Sequence, residues 1–211
     1  MFQATARAVL VSLLGALPVT ALAQEAKVSP QAMAYINGAE NRNAVDAAFR
    51  TEAAALAASC SIDLAKARRG VRLYVPLEFS PDGKAPTKGA WREELLIDLC
   101  GKQRQLNVLA LVQSPAGVKR SMLLPGTSIG DPLLQRDGVL YAQAGAASKA
   151  PSGCQKFSVL DTSFTSFDAP TAVGKKAWRE LWTLDACGRE VAVEMSFIPD
   201  ATGTTITAHA K

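Results

Sequence analysis

Two segments of this chain repeat one another. Trp91-Arg92-Glu93-Glu94-Leu95-Leu96-Ile97-Asp98-Leu99-Cys100-Gly101-Lys102 aligns without a gap on Trp178-Arg179-Glu180-Leu181-Trp182-Thr183-Leu184-Asp185-Ala186-Cys187-Gly188-Arg189, at an offset of 87 residues. Six of the twelve positions are identical, and Lys102 meets Arg189. Ala85-Pro86-Thr87 upstream matches Ala169-Pro170-Thr171. Trp and Cys are among the rarest residues, so their coincidence argues for a tandem duplication. Two copies are too few for a solenoid. The expectation is a first α+β unit over residues 24–128 and a second over 129–211.

The periodicity inside each copy predicts an antiparallel sheet. Trp178, Glu180, Trp182, Leu184 and Ala186 alternate onto one strand face, and Leu181, Thr183, Asp185 and Cys187 onto the other. Gly188-Arg189 marks a tight hairpin, followed by alternating Val191, Val193, Met195 and Phe197. Pro199 to Gly203 reads as a turn, and Thr204 to His209 as a β-branched closing strand. The first copy repeats this with Leu95, Ile97 and Leu99, a turn at Gly101-Lys102, then Leu106, Val108, Ala110 and Val112. Strands over Val71–Phe79 and Phe157–Phe167 precede the two Trp segments. Ser29-Pro30 and Asp131-Pro132 have the form of a helix cap and first position. Helices are expected after Pro30, from Ala39 to Ala58, and from Pro132 to about Ala147. The last of these places Leu133, Leu140 and Ala144 on one face. The fold class is therefore α+β: two tandem repeats, each a helix followed by about four antiparallel strands.

The first 23 residues read as an export signal. Arg7 is the only charge before Glu25, Ala8 to Val19 is a short apolar run, and Ala21-Leu22-Ala23 has the small residues of a cleavage site. The run is short for a membrane span. Export makes the four cysteines read as two disulfides, a framework common in small secreted domains. Four cysteines allow three pairings, and spacing does not choose among them. The duplication does, in favour of Cys60–Cys100 and Cys154–Cys187. Each bond closes a loop of about 35–40 residues, worth roughly 4 kcal/mol in the chain-entropy view. Cys100 and Cys187 fall on the strand face opposite the aliphatic row, where a disulfide would pin the preceding helix or loop.

Little in the sequence points to catalysis. His209 is the single histidine, so polyhistidine metal sites are excluded, and Ser–His or Cys–His chemistry would need this residue near the end of the chain. No P-loop, dinucleotide fingerprint or serine-hydrolase motif is present, and no cofactor is expected. Asp98 and Asp185, each two residues before a Cys, qualify as paired acid/base carboxylates only if the units face each other; as short polar side chains near turns they fit backbone capping better. Trp91, Glu93, Trp178, Glu180 and Trp182 form a candidate binding surface, but a set that recurs in both halves fits architecture better, with Trp filling the core and Arg–Glu tying neighbouring strands. The 23 Lys and Arg stand against 19 Asp and Glu, too even a balance for a nucleic-acid protein. Lys66, Arg68, Arg69 and Arg72 cluster, with Lys102, Arg104, Lys119 and Arg120 elsewhere in the same unit; solvated strand edges are expected there, with an anionic envelope surface as the alternative.

The segment Trp182-Thr183-Leu184-Asp185-Ala186-Cys187-Gly188 resembles a W-T-x-D/N-x-C-G hairpin of small, uncharacterised exported proteins of Gram-negative bacteria. Leu95 replaces that Trp in the first copy. The resemblance implies a periplasmic or secreted location and a β-rich fold, and transfers no catalytic residue. The expected function is a non-enzymatic binding or protein-interaction module whose partner is another envelope or secreted protein. The alternatives are a secreted hydrolase using carboxylates and a structural component of an envelope or secretion assembly.

Overall fold

A computed structural model describes residues 28–56, 63–99 and 101–211. The expected export signal, Cys60 and Cys100 lie outside the described residues. Helices α1 (Pro30–Ile36) and α2 (Ala39–Leu56) precede strands β1 (Arg68–Phe79), β2 (Pro86–Leu99), β3 (Lys102–Val112) and β4 (Val118–Met122). Helix α3 (Pro132–Ala147) precedes β5 (Phe157–Pro170), β6 (Lys176–Ala186), β7 (Arg189–Pro199) and β8 (Thr204–Ala210). The strands form two four-stranded antiparallel meanders, β1-β2-β3-β4 and β5-β6-β7-β8. The Trp-Arg-Glu segments occupy β2 and β6, each an inner strand with a neighbour on both sides.

The expected caps start the helices. Ser29 accepts a hydrogen bond from Ala32 N, and Asp131 accepts from Leu133 N and Leu134 N. Helix α2 lays Val45, Phe49 and Ala53 on Leu95, Ile97, Leu106 and Val108. Helix α3 lays Ala142 and Ala146 on Trp182, Leu184, Val193 and Met195. In the first half the helix brings the large ring, Phe49. In the second the strand brings it, Trp182, and the helix must be thin. A Cβ on Gly138 would come 2.8 Å from Cη2 of Trp182, closer than side chains tolerate.

That constraint reverses the reading of α3. Its buried residues are Gln135, Gly138, Ala142 and Ala146. Leu133, Leu140 and Ala144, grouped on one face in the sequence, turn to solvent: Leu133 is 58% exposed and Leu140 70%. Directly over the Trp182 ring, at Gly138, α3 has no room for a side chain.

Residues 123–130 join the halves. Leu123 N and Gly126 N donate to Asn107 O and Gln105 O on β3, and Thr127 N donates to Thr162 O on β5. Gly126 has φ +99°, and a Cβ there would lie 2.0 Å from Thr162 O, so only glycine fits. Arg104 pairs with Asp161 across the same junction at 3.5 Å.

Cys154 and Cys187 form a disulfide over 33 residues. It ties the loop after α3 to the β6–β7 hairpin, whose turn residues Cys187 and Gly188 both take positive φ (54° and 88°), the geometry that matches strand twist in two-residue hairpins.

Gly138→Ala is expected to destabilise the protein by about 1–2 kcal/mol in urea denaturation, because crowding of the rigid Trp182 ring outweighs the roughly 1 kcal/mol that alanine otherwise gains in a helix.

Candidate functional site

The Trp-Arg-Glu segments come first, as the most specific sequence feature. Residues i and i+2 share a strand face, so each Trp stands beside its Glu. Trp91 Nε1 donates to Glu93 Oε1 at 2.9 Å. Trp178 Nε1 donates to Glu180 Oε1 at 3.0 Å. Both carboxylates lie inside, with Glu180 fully buried and Glu93 5% exposed. Trp91 and Trp182 are also fully buried, and Trp178 is half-buried. The structure therefore places the candidate surface residues within the protein, facing the helices. An open sheet face would leave the wide indole rings in water, and burial removes that cost.

Glu180 has four donors. Its Oε1 accepts from Trp178 Nε1, from Ser128 Oγ at 3.2 Å and from Ile129 N at 3.0 Å, and its Oε2 accepts from Trp182 Nε1 at 2.8 Å. No cation is needed to satisfy this carboxylate. Glu93 Oε1 accepts a second bond from Asn41 Nδ2 at 2.8 Å. In each half the partner outside the strand comes from the entrance to the covering helix: Asn41 in the first turn of α2, Ser128 and Ile129 just ahead of α3. Glu93 and Glu180 thus fix where each helix begins.

The intervening arginines project from the opposite sheet face. Arg92 is buried; it bonds Glu94 and donates from Nη1 to Ser128 O at 3.2 Å. Ser128 therefore touches both Trp-Arg-Glu segments, Arg92 through its carbonyl and Glu180 through its hydroxyl. Arg179 stays exposed and pairs with Asp168 at 2.9 Å and Glu194 at 3.6 Å.

Asp98 accepts from Gly101 N at 2.7 Å, and Asp185 from Gly188 N at 2.9 Å. Each closes its own hairpin, and the structure does not bring them into one site. His209 is exposed on β8, opposite Glu194. The basic residues disperse: Lys66 pairs with Asp63, Arg69 with Asp46, and Arg104 with Asp161, while Arg120 points toward α2. Among the described residues no group of three or more His, Cys, Asp or Glu is arranged to hold a metal, and no helix is long and apolar enough to cross a membrane.

The site the sequence did not reveal is a cleft of about 490 Å³ between the halves. Met122, Leu124 and Pro125 form one wall, and Val139, Phe157 and Val159 another. Gln135 also lines it. Gln135 Nε2 donates to Gly130 O at 2.8 Å, which leaves Oε1 buried without a hydrogen-bond partner. Glu52, in the same lining, is half-buried, and burial pushes its carboxyl above the usual range. These residues come from α2, β4, the linker, α3 and β5, so no local sequence signal marks the cleft. Compared with protein-family models, with curated proteins and with solved structures, the chain matches none.

Glu180→Gln is expected to cost about 2–4 kcal/mol, because the new amide NH₂ faces a donor whichever way it is turned. Arg179→Gln, on the exposed face where water screens its ion pairs, is expected to leave the urea midpoint close to the parent's. Urea denaturation of both variants checks the contrast. Glu52 behaves oppositely to a paired carboxylate. The folded state holds its proton more tightly than the unfolded chain, so its contribution to stability falls as pH rises through the raised value. Glu52→Gln is expected to flatten the pH dependence of the melting temperature there and to be at least as stable as the parent at neutral pH.

Proposed function

We propose that this chain is an exported, non-enzymatic protein-interaction module of the bacterial envelope, built from two copies of one helix-and-sheet design. The observation that carries this reading is the outer face of α3. Leu133, Leu140 and Tyr141 are 58%, 70% and 48% exposed. At a spacing of seven and eight residues they form one stripe two turns long. Large apolar side chains grouped on a helix surface are a usual sign of a partner. The stripe runs beside the row of α3 that lines the cleft, Arg136 and Gln143, so a partner seated on α3 also reaches the cleft.

Export is supported by the Cys154–Cys187 disulfide, since such bonds persist in oxidising compartments. The duplication is supported by the matching strand order and by the Trp–Glu pair at one place in both sheets. The commitment of Glu180 to the fold favours binding over carboxylate catalysis, because both of its oxygens already accept hydrogen bonds inside the protein.

The test is capture of partners from envelope and culture fractions on the mature, oxidised protein, read by mass spectrometry. The wild type is expected to retain a defined envelope or secreted protein. Leu133→Ser/Leu140→Ser is expected to lose it at least about tenfold while melting within a few degrees of the parent, since surface substitutions seldom cost more than about 0.5 kcal/mol. Equal capture by the double variant, or turnover of a hydrolase substrate panel without any partner, contradicts the reading.

A further inference from the structure

We propose that the first half holds a separate small-molecule site, in which Arg120 and the Tyr35 hydroxyl bind the carboxylate of an organic monoacid. The site is a cavity of about 560 Å³ whose lining includes Tyr35, Glu40, Lys84, Pro86, Val118 and Arg120. It is distinct from the α3 surface and stands without it.

The two sheets differ at this place. Ala110 of β3 pairs with Arg120 of β4, and the matching pair on β7 and β8 is Phe197 with Ile206. In the second half Phe197 stacks on Trp178, with ring centroids 4.9 Å apart and planes 11° apart, and Ile206 is buried. That corner is closed and apolar. In the first half Ala110 withdraws the ring, Tyr35 meets Trp91 edge-on at 6.1 Å, and a guanidinium replaces the isoleucine. Packing alone does not call for an arginine here, because the second half fills the equivalent corner with hydrocarbon and a partly buried charge is costly.

The guanidinium is held, but its charge is not neutralised. Arg120 Nη2 donates to Asn41 Oδ1 at 2.6 Å and Nη1 to Val118 O at 3.3 Å. Asn41 is itself fixed by its bonds to Glu93 Oε1 and Ile36 O, both 2.8 Å. Arg120 also hydrogen-bonds the Tyr35 hydroxyl, so its acceptors are all neutral, and Nε is buried without a partner. Among the described residues no carboxylate lies within ion-pair distance of Arg120. A positioned guanidinium with spare N–H groups in a cavity is suited to a carboxylate. Burial keeps the Tyr35 hydroxyl protonated, with the Arg120 charge acting against that shift, so the hydroxyl remains a donor.

The other lining groups narrow the ligand. Lys84 adds one positive charge and Glu40 one negative, leaving an excess of one. Glu40 disfavours a doubly charged phosphate more than a monoacid. Pro86, Val118 and the Tyr35 ring give an apolar wall for the body of the acid.

The test is an NMR titration of the oxidised protein at constant ionic strength with acetate, benzoate and phenylalanine, and with inorganic phosphate as the competing anion. At least one monoacid is expected to shift the Trp91 indole N–H saturably. Arg120→Ile, which imports the residue of the second half, is expected to weaken that response at least about tenfold, with Arg120→Lys losing less. Glu40→Gln, an exposed change that keeps the fold, is expected to strengthen binding and to narrow the preference over phosphate. The proposal is overturned if no monoacid gives a saturable shift up to about 50 mM, if phosphate binds as tightly as the best monoacid, or if Arg120→Ile and Glu40→Gln both leave the response unchanged.

Discussion

The structure depends on a carboxylate placed where water cannot reach it. Burying an ionised carboxylate costs several kcal/mol unless its oxygens are satisfied. Glu180 meets that condition with two indole N–H groups, a hydroxyl and a backbone amide. The strand supplies the indoles by simple alternation, and the helix entrance supplies the rest. A sheet and a helix bound only by apolar contact can slide or rotate. A buried acceptor that requires four donors tolerates no such slip. Glu93 sets the same condition more loosely, through Trp91 and Asn41.

Two consequences follow for the rest of the molecule. Ser128 serves Glu180 with its hydroxyl and Arg92 with its carbonyl, so the linker is fixed to both sheets by the residues that organise them. The cleft between the halves is a product of that path. The outward turn of Leu133 and Leu140 accords with Trp182, whose indole reaches Glu180 Oε2 and whose ring meets α3 at Gly138, where no side chain fits. The surface offered to a partner is thereby set by packing beneath it.

Much of the fold was legible in the sequence because it rests on local rules. Alternation gives the faces of β2, β3, β6 and β7, paired Ser-Pro and Asp-Pro steps give the starts of α1 and α3, and the hairpin is where expected, although its turn is Cys187-Gly188, one residue before the expected Gly188-Arg189. The second disulfide pairing followed from the duplication, not from spacing. The orientation of α3 was not legible. Its Leu133, Leu140 and Ala144 have the periodicity of a buried stripe, and only the fold shows the Trp182 ring meeting α3 at Gly138 instead. The Trp–Glu pairs read from sequence more as architecture than as a ligand platform, because the set recurs in both halves, but alternation says which residues share a face and not what covers it. The cleft and the Arg120 cavity were invisible for a related reason: each gathers residues from distant elements, and Arg120 in isolation reads as one more basic residue on a strand.

The central claim is that the indole–carboxylate bonds are structural and closed to solvent. Hydrogen exchange of the tryptophan side chains in ¹⁵N-labelled protein tests it directly. The Nε1–H groups of Trp91 and Trp182 are expected to exchange only through global unfolding, with protection equal to that of the slowest backbone amides of β3 and β7. The Trp178 group, half-buried, is expected to exchange sooner. Rapid exchange of the Trp91 and Trp182 indoles under native conditions, while the sheets stay protected, would contradict the account.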